Sequence, residues 1–186
     1  MSTVQLTQPT EEPVAIYEAR THLRIDDTDS DLYIDALITA ARERAESYTG
    51  LSFVSRSFGI YLDKFPSGEF RLGCAPLVSV ESIKYYDAAN TEQTLNASEY
   101  YVDSRSRPGR ITPVNTWPAT YSRPNAISII ATAGYGTAGN VPKTIKQAML
   151  LMIGDMYENR EETTGGRISM LPITSELLLR PFRLLG

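Results

Sequence analysis

The sequence has few of the residues from which compact chemical sites are usually built. Among its 186 residues there is one cysteine, Cys74, and one histidine, His22. A single cysteine excludes an internal disulfide framework and a cysteine-rich zinc site, and it suits a reducing compartment. The lone histidine has no neighbouring histidine or cysteine in the sequence, so we expect it to serve packing or to face solvent rather than to act in catalysis.

Positive charge and long apolar runs are also scarce. There are 18 Lys and Arg residues against 22 Asp and Glu residues, a formal net charge of -4, so a general electrostatic attraction for nucleic acid is not expected. The first residues, MSTVQLTQPTEEP, lack the basic and apolar regions of a secretory leader, and no apolar run is long enough to span a bilayer. We therefore expect a non-membrane protein. The 42% of hydrophobic residues suits either one ordinary soluble domain or a domain with an elaborated insert.

The clearest periodic pattern lies between residues 127 and 160. Apolar residues alternate over 127–132, glycines follow, and the pattern then changes to helical spacing. The apolar residues at helical spacing are Ile145, Ala148, Met149, Met152, Ile153 and Met156. The sequence thus predicts a strand followed by a core helix over 140–160, with Pro142 in the first turn and Asn140 as a candidate cap.

The glycines between this strand and this helix, Gly134, Gly136 and Gly139, match the G-x-G-x-x-G pattern of a dinucleotide site. A working site also needs a second parallel strand after the helix, with an acidic residue at its end. The residues that follow the helix, ENREETTGGR, are polar and offer neither feature. We interpret the glycines as a tight strand-to-helix turn, and we expect no bound nucleotide or other cofactor.

An N-terminal helical region is predicted over residues 13–50. A short helix opens at Pro13, and a longer one runs from Asp31 to Thr49 and stops at Gly50. The apolar stripe of the longer helix, which can face the stripe of the 140–160 helix, consists of Ile34, Leu37, Ile38, Ala41, Ala45 and Tyr48.

The acidic residues between these two helices alternate like the start of a calcium loop. The glycine and the glutamate that such a loop requires are replaced by Leu32 and Ile38, so we expect no metal site. Asp29 or Ser30 is better interpreted as the cap of the helix that follows.

From Leu51 the apolar period changes to two, which predicts a β block over residues 51–136. The alternating apolar residues are Val54, Phe58, Ile60, Leu62, Phe70, Leu72, Val78, Val80, Ile83, Tyr85 and the 100–102 segment. Turn residues interrupt them at 66–68, 73–76 and 87–91. Helices, then strands, then a helix predict an α+β fold in which an antiparallel β domain is inserted into a helical bundle.

Residues 103–124 form an irregular excursion stiffened by several prolines. Its basic residues, Arg105, Arg107, Arg110 and Arg123, are interleaved with Trp117 and Tyr121. Basic and aromatic residues together can bind single-stranded nucleic acid, but the chain is acidic overall. We favour a loop whose arginines meet carboxylates of a neighbouring subunit.

The last region, residues 161–186, follows the pattern of neither the helices nor the strands. Gly165 and Gly166 loosen the chain, and Thr174 or Ser175 can begin a short turn. The apolar residues of this C-terminal arm are Leu177, Leu178, Leu179, Phe182, Leu184 and Leu185. An arm this apolar needs a surface to cover it, in its own core or in another subunit.

Three stretches, in this order and spacing, resemble the head-tail connector (adaptor) proteins of tailed double-stranded DNA phages and prophages. They are EARTHLRIDDTDSDLYIDALITAARERAESYTG, LDKFPSGEFRLGCAPLVSVESIKYYD and TAGYGTAGNVPKTIKQAMLLMIGDMYENRE, and the resemblance extends over nearly the whole chain. It implies one connector subunit, a helical bundle with an inserted β block, and no catalytic residues. It also implies a place in the virion, at the head-tail interface, after synthesis in the host cytoplasm.

The resemblance further implies a homo-oligomeric ring of about a dozen subunits between the portal protein and a tail-side closure (stopper) protein. Genomic DNA would pass through the ring without sequence recognition, and an acidic lining would let the duplex slide. In such proteins the C-terminal segment commonly reaches the portal. We therefore predict that the arm binds the portal rather than completing the subunit's own fold, with Phe182 as the anchor.

Two other function classes compete with this reading. A ligand- or glycan-binding β module would use the tyrosines Tyr85, Tyr86, Tyr100 and Tyr101, although such residues more often pack a sheet face. A hydrolase would use a pair of adjacent carboxylates, Asp26 with Asp27 or Glu161 with Glu162, although adjacent carboxylates in polar runs are usually solvated.

Overall fold

The computed structural model describes residues 1–159 and 173–184, and the chain divides into two compact units. The β unit contains residues 1–10 and 55–135, and the helical unit contains residues 11–54 together with the described residues from Gly136 onward. The predicted α+β class, with antiparallel strands inserted between helices, is confirmed. Leu185, Glu161, Glu162, Gly165 and Gly166 lie outside the described residues.

The helical unit is built on the apolar stripes that the sequence predicts. Its helices are α1 (Ile16–Leu23), α2 (Asp31–Thr49), α3 (Lys143–Glu158) and α4 (Ile173–Leu179). α2 packs against α3, and both contact α1 and α4 to different extents. The fully or almost fully buried stripe residues are Ile34, Ile38, Ala41, Ala45, Ile145, Ala148, Met149, Met152 and Ile153. Tyr48 and Met156, at the ends of the stripes, are only half-buried.

The ends of α2 are determined by backbone geometry more than by side chains. Gly50 adopts φ 72°, a left-handed conformation that favours glycine, and its amide donates to the Glu46 carbonyl at 2.8 Å. At the other end Ser30 occupies the cap position, but its side chain makes no capping hydrogen bond. The prediction of a side-chain cap is therefore wrong.

The acidic residues before α2 bond to one another and to a neighbouring arginine. The Asp27 carboxylate accepts the amide of Asp29 at 3.1 Å, and Asp31 pairs with Arg20 at 3.5 Å. α1 begins later than predicted, at Ile16, because the Ala15 amide donates to the Glu18 carboxylate at 2.8 Å and closes the first turn there.

The β unit consists of eight strands in two antiparallel sheets. The five-stranded sheet has the order β1 (Ser2–Gln5), β2 (Arg56–Leu62), β8 (Ile127–Ala133), β4 (Leu77–Tyr86) and β5 (Glu92–Thr94). The three-stranded sheet has the order β3 (Phe70–Arg71), β7 (Arg110–Pro113) and β6 (Tyr100–Asp103). One core joins them, and its fully buried members include Ile60, Leu72, Ile83, Ile111, Ile127 and Ile129. The predicted turn at 87–91 closes with the Asp87 amide donating to Thr91 at 3.0 Å.

The sequence pattern missed β1, β5 and β7; the three residues of β5 are all exposed. All four residues of β1 are exposed, so buried and exposed residues do not alternate along it and the sequence shows no strand pattern. The strand forms because its backbone pairs with β2 at the edge of the sheet. β7 lies in the proline-rich excursion, where a single fully buried residue, Ile111, faces the core. An alternating apolar pattern arises from burial on one face of a strand, and none of these three strands buries enough residues to produce it.

The glycines after β8 form a turn, as predicted. Gly134 has φ 142° and Gly136 has φ 104°, values that residues with a side chain rarely adopt. β8 pairs antiparallel with both of its neighbours, β2 and β4, so it is not the first strand of a parallel β-α-β nucleotide unit. Among the described residues, none of the helices is both long and apolar enough to cross a bilayer.

Cys74 is expected to be unreactive in the folded protein. Its side chain is 4% exposed, and burial raises the pKa of the thiol to about 11. Because the thiolate is the reacting species, roughly one thiol in a thousand is ionised at pH 8. A disulfide reagent at pH 8 should label the native protein slowly and the urea-unfolded protein at once. Equal labelling rates in the two states would contradict this placement of the thiol.

Candidate interaction surfaces

The C-terminal segment, residues 173–184, packs onto its own helical unit. Ser175 and Leu179 are fully buried, one turn apart on the inner face of α4. The amide of Leu184 donates to the Thr49 carbonyl at 2.8 Å. The Leu184 side chain also packs against Gly50, where an added Cβ atom would lie 3.5 Å from Leu184 Cδ1, in van der Waals contact. The prediction that the arm does not complete the subunit's own fold is therefore wrong for these residues.

The outer face of the same segment remains partly apolar. Leu177 is 59% exposed, and Leu178 and Phe182 are half-buried. The Tyr48 hydroxyl donates to the Glu176 carboxylate at 3.2 Å, and burial together with this carboxylate raises the pKa of Tyr48. The predicted apolar set thus divides into residues that hold the segment down, Leu179 and Leu184, and residues that stay available to a partner.

Three of the four arginines singled out from the sequence have partners within the β unit. Arg110 pairs with Asp103 at 2.7 Å and with Glu69 at 3.3 Å. The guanidinium of Arg123 lies 4.1 Å from the centre of the Tyr86 ring, and that of Arg107 lies 5.6 Å from the centre of the Tyr135 ring. The fourth, Arg105, is exposed.

Asp103 organises the turn that carries these arginines. Its carboxylate accepts hydrogen bonds from the Ser106 hydroxyl at 2.6 Å, the Ser106 amide at 3.1 Å and the Arg105 amide at 2.9 Å. The Ser106 hydroxyl and the Arg110 guanidinium hold the pKa of this carboxyl well below its usual range. The turn is therefore tied to β6 and β7 rather than free to reorient.

The turn and the neighbouring strands enclose a cleft of about 240 Å³, which we call the arginine cleft. Its lining residues are Arg71, Ser106, Arg107, Pro108 and Arg110. Sequence reasoning missed Arg71, an exposed residue in a two-residue strand, where it stands directly opposite Arg110 on β7. The only signal that could have found it is strand register, which a single sequence does not contain.

The aromatic residues near the arginines are largely occupied within the β unit. The Trp117 ring stacks on Phe65 with centroids 4.7 Å apart, and its indole nitrogen donates to the Gly68 carbonyl at 2.7 Å. Trp117 is therefore engaged in packing, and stacking a nucleobase would require it to leave these contacts.

The four tyrosines considered for a ligand site do not share an environment. Tyr100 is buried, Tyr101 is 66% exposed, Tyr85 packs against the core and Tyr86 lies beneath Arg123. Consecutive strand residues point to opposite faces of a sheet, which explains the contrast between Tyr100 and Tyr101. The arrangement gives no support to a glycan-binding platform.

Comparisons with known proteins agree with the resemblance in the sequence. The family model of the phage gp6-like head-tail connector protein matches residues 14–106, half of the 186-residue chain. No curated protein matches the chain.

Solved structures show the same fold over the full length of the chain. A chain of the "Neck of empty GTA particle computed with C6 symmetry" is 22% identical with a TM-score of 0.84, and one of the "Virion of native gene transfer agent (GTA) particle" is 23% identical with a TM-score of 0.82. A chain of the "Neck of native GTA particle computed with C12 symmetry" is 22% identical with a TM-score of 0.75. Each comparison covers 100% of this chain and 97% of the other.

The family match begins at residue 14, just before α1, and extends into the β unit as far as residue 106 in the arginine-bearing turn. The family is one of structural proteins of the phage particle, so the prediction that the chain is not an enzyme is confirmed by this match. The interaction surfaces described above are therefore surfaces of a structural subunit: the chain belongs to the phage gp6-like head-tail connector protein family.

Proposed function

We propose that the protein is the subunit of a ring in the neck of a phage-like particle, between the portal protein and a tail-side closure protein. Family membership supports a connector role. Two of the structurally similar chains come from particle necks with C6 and C12 symmetry, which supports a ring of about a dozen copies. The place of action is the head-tail interface of the virion.

Genomic DNA would pass through this ring without sequence recognition. The net charge of -4 supports that role, because an acidic wall repels phosphates and lets the duplex slide, whereas a basic wall would retain it. The described residues also place Trp117 in a packed stack rather than on an open surface for bases.

The outer face of the C-terminal segment is our proposed portal-binding surface. The observation that carries this proposal is the division of the segment: Leu179 and Leu184 fasten it to the helical unit, while Leu177, Leu178 and Phe182 keep apolar surface outside. A fastened segment loses little conformational entropy on binding, so its exposed apolar area contributes more of its free energy to affinity. Leu185, outside the described residues, remains part of the same proposal.

Leu177→Glu is expected to weaken attachment to the portal without unfolding the subunit. Burying a leucine is worth roughly 1.5 to 3 kcal/mol, about 10- to 150-fold in affinity, and the loss repeats in every subunit of the ring. Co-sedimentation with purified portal rings, followed by electron microscopy of the complexes, measures this.

Tyr17→Glu serves as the matched control, because Tyr17 is 64% exposed and belongs to the same helical unit but not to the C-terminal segment. Both variants should keep the wild-type melting temperature, and only Leu177→Glu should lose the portal. Undiminished binding by Leu177→Glu, or equal loss by both variants, would show that the surface is misassigned.

A further inference from the structure

We propose that the arginine cleft of one subunit binds the acidic loop, residues 26–31, of a second copy of this chain. This inference rests on the proposed ring and names the contact that closes it. The cleft belongs to the β unit and the acidic loop to the helical unit, so the contact joins two different patches. Repeated around an axis, such a head-to-tail contact closes a ring when the rotation per subunit is right.

The arginine cleft has more arginines than paired carboxylates, and this excess of positive charge favours the binding of an anion. Arg71 and Arg110 stand directly opposite each other on β3 and β7, an arrangement of like charges that destabilises a sheet. Arg110 is neutralised by Asp103, which faces it from β6, and by Glu69. Within residues 1–159 and 173–184, no carboxylate pairs with Arg71 or with Arg107. With Arg110 neutralised, the remaining positive charge of the cleft is on Arg71 and Arg107, and an anionic group there would pair with it.

A protein carboxylate fits this cleft better than a DNA phosphate does. A guanidinium fork binds a carboxylate or a phosphate equally well in two parallel hydrogen bonds, but the space of about 240 Å³ suits one or two small side chains. A phosphodiester contact usually belongs to an extended basic surface, whereas this chain is acidic overall.

The acidic loop has the properties expected of the occupant. Asp26, Asp27 and Asp29 are all exposed, and within the described residues the carboxylates of Asp26 and Asp29 have no bonding partner. Leu32, at the start of α2 and next to these carboxylates, is 91% exposed. A fully exposed leucine bordered by charges is typical of an interface, in which an apolar anchor is surrounded by a polar rim.

Charge reversal tests the contact. Arg71→Glu and Asp29→Arg should each reduce ring formation on portal rings by roughly tenfold or more, since each places like charges together. The double variant should recover assembly, because it restores an opposite pair. Mass photometry counts the subunits bound to each portal ring, and a melting curve for each variant checks that it is folded. The matched controls are Lys64→Glu and Asp35→Arg, two exposed positions outside the cleft and the loop.

Cysteine cross-linking supplies a second readout. Arg71→Cys together with Asp29→Cys should form disulfide-linked ladders of subunits after oxidation, while the buried native Cys74 should give no background. Absence of ladders in rings that otherwise form would contradict the contact.

The outcomes separate this inference from the proposed function. If wild-type subunits form no ring on portals, the proposed function fails. If rings form and both single variants assemble like the wild type, the acidic-loop contact alone is wrong. Loss of binding to a fluorescent duplex oligonucleotide by Arg71→Glu, with ring formation intact, would assign the cleft to DNA and overturn the inference.

Discussion

Met152→Asp is expected to destabilise the helical unit strongly. Met152 is 2% exposed on the inner face of α3, in the stripe that packs against α2. The substitution removes a large apolar side chain and places a carboxylate where the buried neighbours named above are apolar. We expect a loss of roughly 4 kcal/mol or more in the free energy of unfolding, a large share of the 5 to 15 kcal/mol typical of a domain.

Gln147→Asp is the control for this variant, because Gln147 is exposed on the same helix. It should cost about 0.5 kcal/mol or less. Lys146 is a poorer control, since it is partly buried and lies 4.0 Å from Glu18. Urea unfolding monitored by circular dichroism gives both values, and similar midpoints for the two variants would contradict the assignment of the α3 faces.

Glu46→Ala is expected to cost about 2 kcal/mol or more, because it leaves the buried Phe53 amide without its acceptor and removes one of the carboxylates that pair with the buried Arg42, which keeps Glu12 at 2.8 Å. One Glu46 oxygen accepts the Phe53 amide at 2.7 Å, and the other pairs with Arg42 at 3.2 Å. The side chains of Arg42 and Glu46 are only 4% and 8% exposed. Burial alone would lower the pKa of Arg42, but the hydrogen bonds and charges of Glu12 and Glu46 outweigh it and raise the pKa.

Two further variants divide this cost into its parts. Glu46→Gln keeps an oxygen for the Phe53 amide and should lose less stability than Glu46→Ala. Glu43→Ala removes a carboxylate that also lies near Arg42, at 3.6 Å, but is 64% exposed, so it should be almost neutral. The order Glu46→Ala, Glu46→Gln, Glu43→Ala in decreasing destabilisation is the expected result of chemical denaturation. Equal effects of Glu46→Ala and Glu43→Ala would show that burial of the pair does not govern its contribution.

The two surfaces proposed for portal attachment and for the ring contact differ in how strongly the sequence indicates them. The sequence marks the C-terminal segment clearly, because its leucines follow neither the helical nor the strand pattern of the neighbouring elements. The sequence does not indicate which of these leucines are buried within the subunit. Two apolar residues of α4 only two positions apart, Leu179 and Leu177, lie on its inner and outer faces. The sequence marks the arginine turn as a basic stretch, but Arg71, which also lines the arginine cleft, lies outside that stretch on β3.

The sequence by itself determined the helices, most of the strands and the family. Those features are local: a buried stripe repeats every three or four residues on α2 and α3, alternate burial marks β2 and β8, and family motifs are contiguous. Only the tertiary structure decided which strand pairs with β1, which residue lies opposite Arg71, and which apolar residues of the C-terminal segment remain exposed. The physical reason is that these features depend on strand register and on packing between elements far apart in the chain, and periodicity within one element carries no information about either.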